Sequence, residues 1–236
     1  MIERVEYEVA GRTFAGMLAV PQDRHERHPG VLVFHGGSGP TAHERERVDK
    51  LAALGYIAFA PDLFGEAFED RARGLAVIGE LVSEPAKLRA RTSAALSWLA
   101  NRPNIAPERI AAIGHCFGGL AALELARSGA DVRAAVSFHG RLSSNAPAKH
   151  GEIRARVLAC TGSDDPFCPR EQRVAFEEEM SAAGVDWQHH VYSGAMHGFS
   201  VPTIDASKQP GCAYHARADR RSWSSMLALF GEVLTI

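Results

Sequence analysis

Cys116 lies in the run Gly114-His115-Cys116-Phe117-Gly118, between the apolar stretch "RIAAI" and the helix-forming stretch "GLAALELARSG". Gly-x-Cys-x-Gly between a strand and a helix has the form of a nucleophile elbow, with Cys where Ser is commoner. The turn must be sharp to lift the side chain clear of a sheet, and glycines on either side relieve crowding there. A helix opening at Phe117 turns its positive end toward the sulfur and favours thiolate. The competing reading is a buried core cysteine, a common fate for free Cys.

An elbow nucleophile needs an acid after a later strand and a histidine after the last one, in that chain order. "ACTGSDDPF" supplies Asp164 and Asp165, and "VYSGAMHGF" supplies His197 in a glycine-rich loop. His197 has the ordinary pKa, about 6.5, to take a thiol proton and return it to a leaving group. One aspartate would hold its tautomer and the other would serve the turn or cap the helix near Pro169. "HGGSGP" after an early strand exposes the Gly36 and Gly37 amides. With the Phe117 amide, Gly37 can complete an oxyanion hole, where one donor is typically worth ~3 kcal/mol.

The surrounding elements must bring these groups together. Val5, Tyr7 and Val9 alternate before Gly11, and Phe14, Met17 and Ala19 follow it, which predicts a hairpin. "GVLVFHGG", "YIAFAPD", "RIAAIG", "VRAAVSFHG" and "ARVLACTG" read as strands covered on both faces. Between them, helices are expected over Thr41–Gly55 with a capping box, 69–82, 84–101, Phe117–Gly129, 170–184 and about 216–234. Alternating strands and helices predict one α/β domain over residues 1–236, a mainly parallel central sheet with helices on both faces. Chemistry in such folds lies beyond the carboxyl ends of the strands. Cys116, Asp62, His35–Gly37, His139, Asp164–Asp165 and His197 all fall there.

The composition excludes other classes. The 236 residues carry 26 Lys and Arg against 28 Asp and Glu, a formal charge of −2, so no basic stripe invites nucleic acid. No stretch has the roughly 18 apolar residues of a membrane span, and charges break the apolar residues at the N-terminus where a signal peptide would need a run. Four cysteines in a chain of this length read as thiols of a reducing compartment, and the cytoplasm is the expected location. No metal is expected. There is no Cys-x-x-Cys, and His189 and His190 are adjacent on a strand and point to opposite faces. The sequence does not fix the oligomeric state.

Taken together, "GHCFGG", "GSDDPFCP", "AMHGF", "LGYIAFAPDLFG" and the closing "YHARADRRSW" resemble the dienelactone hydrolase family of α/β-hydrolases over nearly the whole chain. In that family's acid motif the aspartate directly precedes the x-F-x-P run, a register that selects Asp165. The resemblance implies hydrolysis of a small-molecule enol-lactone or ester through a Cys116–Asp165–His197 triad, with no cofactor. It also exposes departures. Many members carry a glutamate after the position of His35, where this chain has Gly36. Glu44 and Glu46, on the following helix, are expected in solvent. The family's arginine after the catalytic histidine is missing, with Val201 nearby, and Arg71, Arg73 and Arg141 are the alternatives for holding an anion. Further substrate contacts are expected from His35, Gly36, His139, Phe64 and Phe199, with His35 read more readily as holding the oxyanion loop and His139 equally readable as structural. The rival reading keeps this fold without turnover, Cys116 then serving as a thiol-reactive sensor or as part of a ligand site.

Overall fold

The structure is a computed structural model that describes residues 2–22, 27–68 and 70–234. Among the described residues, eight strands form one sheet in the order β1-β2-β4-β3-β5-β6-β7-β8. They are β1 (Ile2–Val9), β2 (Arg12–Ala19), β3 (His28–Phe34), β4 (Ile57–Pro61), β5 (Ile105–His115), β6 (Ala134–Phe138), β7 (Arg156–Gly162) and β8 (Trp187–Tyr192). β1 and β2 form the expected antiparallel hairpin, turning through Ala10 and Gly11, both at positive φ. β2 meets β4 antiparallel, and every later pairing is parallel.

Among the described residues, six helices cover the sheet: α1 (Ala42–Ala53), α2 (Arg71–Ser83), α3 (Pro85–Ala100), α4 (Phe117–Arg127), α5 (Arg170–Ala182) and α6 (Ala216–Val233). Alternation along each strand sorts the core into layers. Val31, Val33, Ala111 and Ile113 face α1 and α6, whereas Leu32, Phe34 and Ala112 face α3 and α4. A third cluster, built on Val157, Ala159, Phe176 and Met180, seats α5. The central strands are buried on both faces and therefore read as unbroken apolar runs.

Helix ends follow local chemistry. The capping box before α1 is formed, with Thr41 N–H donating to Glu44 Oε2 at 2.8 Å. This corrects the expectation that Glu44 lies in solvent: the carboxylate is buried because it caps the helix, whereas Glu46 is half-exposed and pairs with Lys50. α2 begins at Arg71, capped by the Asp70 side chain. The first residue expected for this helix, Glu69, and the Arg71 side chain lie outside the described residues. No helix of the described residues is long and apolar enough to cross a membrane.

Candidate active site

β5 runs into α4 through a single residue, Cys116, at φ 57° and ψ −117°. Left-handed backbone at a non-glycine residue is strained, and sites that need a fixed side-chain direction often hold such strain. The Cys116 amide donates to Phe138 O at 3.0 Å, which ties the turn to β6. The flanking glycines answer a steric demand. A Cβ on Gly114 would stand 2.0 Å from Gly118 O, and one on Gly118 would stand 2.1 Å from Phe34 O. Any side chain at either position forces the elbow apart.

Three side chains from distant parts of the chain meet above this turn. Cys116 Sγ and His197 Nε2 are 3.1 Å apart, and His197 Nδ1 lies 3.0 Å from Asp165 Oδ2. Asp165 is buried and its Oδ1 accepts from the Phe167 amide at 2.8 Å, which fixes the carboxylate. Asp164 is exposed and accepts from Ser163 Oγ. The loop bearing His197 is anchored on both sides. Ser200 O accepts from buried Arg47, itself paired with Asp219 on α6, and Ser200 Oγ bonds His139 Nε2 at 2.8 Å. The His197 amide donates to Gly211 O, and its carbonyl accepts from Ala213.

The electrostatics of the trio favour charge separation. Burial alone would raise the Cys116 thiol pKa. The hydrogen bond and positive charge of His197, together with the Phe117 and Gly37 amides, outweigh it and hold the thiol below its ordinary value. For His197, burial pulls the pKa down, but hydrogen bonds with Asp165 and Cys116 hold it up at about 10. The two amides expected to form an oxyanion hole thus converge on the sulfur in the resting site.

Of the residues expected as substrate contacts, His35, His139, Phe64 and Phe199 do not line the cavity over Cys116. The cavity over Cys116 has a volume of ≈ 800 Å³, and its walls include Gly37, Phe117, Ile78, Leu120, Phe167 and His197. His35, His139 and Phe199 are fully buried behind that wall, not on it. His35 Nδ1 donates to Gly36 O at 2.7 Å and its Nε2 accepts from the Leu63 amide at 2.8 Å, so this imidazole braces the Gly36–Gly37 loop. His139 packs edge-on against His197 and Phe199, with ring centroids 5.2 and 5.0 Å away. Phe64 opens onto a separate cavity of ≈ 560 Å³ shared with Arg4, Glu6 and Phe14. Gly36 brings no carboxylate to the thiol, although a Cβ added there would stand only 3.7 Å from Cys116 Cβ. Of the three arginines considered for an anion, Arg141 lines the cavity and Arg73 pairs with Glu66.

Some neighbours were not anticipated from sequence. Phe167 stands edge-on to His197 at 5.1 Å, and α2 supplies much of the cavity wall. His43, Glu44 and His115 bring one ligand-type atom each within 4.8 Å of one another, and neither imidazole has a hydrogen-bond partner among the described residues. Burial lowers the pKa of both rings, and the Arg47 cation lowers it further. That same positive field opposes a dication there. The signal for this cluster is the pairing of β3 with β5, which brings the start of α1 beside the end of β5.

A mostly parallel sheet carrying a strand–turn–helix elbow at Cys116 defines an α/β-hydrolase. The comparisons with known proteins narrow the class. The sequence model of the dienelactone hydrolase family matches residues 14–234. The solved structure named m3DLH superposes with a TM-score of 0.94 at 39% identity, covering 100% of this chain and 99% of that one. The dienelactone hydrolase-like promiscuous phosphotriesterase P91, from metagenomic libraries, gives 0.93 at 36% identity, with 99% and 98% covered. The putative carboxymethylenebutenolidase of Aquifex aeolicus is 27% identical over 208 residues, 84% of this chain and 87% of the relative. The chain belongs to the dienelactone hydrolase family, and its class of activity is hydrolysis of an ester or lactone.

Proposed function

We propose that Cys116 is the nucleophile of a two-step acyl transfer, with His197 as its acid–base partner and Asp165 as the group that holds the imidazole. The observation that carries this reading is the continuous chain Sγ–Nε2–Nδ1–Oδ2, with links of 3.1 and 3.0 Å across three separate loops. In the first step the Cys116 sulfur attacks the carbonyl carbon, and the carbonyl π pair moves onto oxygen. The Gly37 and Phe117 amides, already aimed at the sulfur, receive that oxyanion. As the C=O re-forms, the bond to the alcohol oxygen breaks, and His197 Nε2–H protonates the departing oxygen. The product is a thioester on Cys116. In the second step His197 takes a proton from water, the hydroxide oxygen attacks the thioester carbon, and the sulfur leaves as thiolate. Asp165 keeps the proton on Nδ1 throughout and stabilises the imidazolium.

Activated p-nitrophenyl esters test this. Multiple turnovers by the wild-type protein, abolished in Cys116→Ala, support the reading. A single stable adduct on intact mass, with no further release, supports the sensor reading instead. Undiminished turnover by Cys116→Ala removes Cys116 as nucleophile. A neutral phosphotriester belongs in the same assay. P91 is described as a promiscuous phosphotriesterase, and a thiolate paired with imidazolium can also attack phosphorus.

A further inference from the structure

The cavity over Cys116 has two chemically different sides. Toward α2 and α4 it is walled by Leu75, Ile78, Val82, Phe117 and Leu120. Leu75, Ile78 and Val82 follow one another at helical spacing and make one stripe along α2. Ile78 Cδ1 lies 3.2 Å from where a Cβ on Gly37 would stand, so the stripe runs up to the loop that supplies one of the two amides. The other side, around His197, is formed by Phe167, Lys208 and Gln209. Proton transfer assigns these sides. A departing alcohol must leave toward the imidazole that protonates it, so the acyl group extends the opposite way, along α2.

The acyl side is built for uncharged carbon. Among the described residues its cation is Arg141, which is exposed and whose Nε donates to Ser143 Oγ at 2.8 Å. Lys208 lies on the leaving-group side, highly exposed and 3.3 Å from Asp205. Asp70, which caps α2, adds a negative charge to the rim that opposes an acyl carboxylate. The volume of ≈ 800 Å³ far exceeds what an acetyl group fills.

We infer that this hydrolase selects uncharged esters with an extended apolar acyl group, from butyryl to octanoyl, bound along the Leu75–Ile78–Val82 stripe. The inference rests on the acyl-transfer reading above, because that reading decides which side holds the acyl group.

The test is a kcat/KM series on p-nitrophenyl acetate, butyrate and octanoate, with the mono-p-nitrophenyl ester of suberic acid as the charged counterpart of the octanoate. Octanoate is expected to exceed acetate by about tenfold or more, and to exceed the suberate half-ester by a similar factor, the low end of what even one methylene is worth in an enclosed apolar site. A flat or falling series, or a half-ester equal to octanoate, overturns the inference. Ile78→Asp is expected to cut the octanoate-to-acetate ratio about tenfold, and Ile78→Leu to preserve it within about twofold. Leu75→Ser, at an exposed position, is expected to lower the same ratio, and an unchanged ratio there counts against the stripe. Because these are ratios within one protein, they separate from the nucleophile question. Cys116→Ala reports on the triad for every ester alike, whereas a wild-type enzyme that turns over acetate without chain-length preference leaves the triad standing and removes only the acyl site.

Discussion

Cys116 and Cys160 flank the end of β6, one in the turn that follows β5 and the other on β7. The Cys116 amide donates to Phe138 O, and Cys160 pairs in register with Phe138. Burial pushes both thiols toward the neutral form. They end in opposite states. Cys160, fully buried with only Tyr192 Oη at 3.8 Å, has its pKa pushed up to about 12. Cys116 is held below the ordinary thiol value because an imidazole and two amides face its sulfur. Burial therefore does not decide which cysteine is reactive; the partners on the far side of the sulfur do.

Removing the partner should erase the difference. With His197→Ala, Cys116 keeps its burial and its two amides but loses the hydrogen bond and the charge that dominate the lowering. The midpoint of thiolate absorbance at 240 nm, below 9 in the wild type, is expected to rise above it. Ester hydrolysis is expected to fall by about ten-thousandfold, the upper range for a general acid–base group. A midpoint that stays put would mean that helix α4 and the amides suffice to ionise the thiol.

Asp165→Asn acts one step further out and should cost less than His197→Ala, as for a group that works through another. Its distinctive readout is the pH profile. The wild-type rate should rise as pH climbs through the lowered Cys116 pKa and fall as His197 loses its proton at about 10. Without the carboxylate, a main cause of the raised His197 value is gone. The upper limb should then move down from about 10 toward the ordinary 6.5. An upper limb still near 10 in Asp165→Asn would show that Cys116 alone holds the proton on the imidazole.

The contrast between the two cysteines also explains what could be read from sequence. The elbow is legible because sterics leave little choice. Gly114 and Gly118 are required by backbone atoms about 2 Å from any added Cβ, so the motif carries its own geometry. The order of acid and histidine is legible because each follows a strand end. The cavity wall is not. α2 carries Val77 and Leu81 into the core and Leu75, Ile78 and Val82 toward the cavity, and apolar periodicity does not say which void a face meets. His139, just past the end of β6, and Phe199, two residues past His197, mislead in the same way. Both lie near the site in sequence terms, yet His139, at φ 40°, turns its ring behind His197, where it braces Ser200. His35 bonds Gly36 and Leu63 and so serves the loop.

Gly36→Glu would sharpen the comparison from the other direction, by giving Cys116 a like-charged neighbour. The position is open, with a new Cβ in ordinary contact with Cys116 Cβ at 3.7 Å. A carboxylate there opposes the thiolate and should raise the Cys116 pKa by about one unit. The expected loss is about tenfold in kcat/KM at neutral pH, shrinking as pH rises and the thiolate refills. Gly36→Gln, of nearly the same shape, should lose less and show no such recovery. Equal losses in the two variants would assign the effect to crowding.

The smallest effect belongs to Cys160. Cys160→Ala should leave ester hydrolysis within about twofold of wild type and cost about 1 kcal/mol of stability, the scale of a small buried truncation. At neutral pH, iodoacetamide should add one label to the wild-type chain and one to Cys160→Ala, but none to Cys116→Ala, as read by intact mass. Cys168 is expected to stay unlabelled too. It lines the same cavity, yet burial first and the Asp165 charge second push its thiol up to about 12. Asp165 thus acts on two thiols in opposite senses. Through His197 it favours the Cys116 thiolate, and directly it opposes the Cys168 thiolate. Labelling of Cys168 in the wild type would break the rule that partner charge, and not access to the cavity, selects the reactive sulfur.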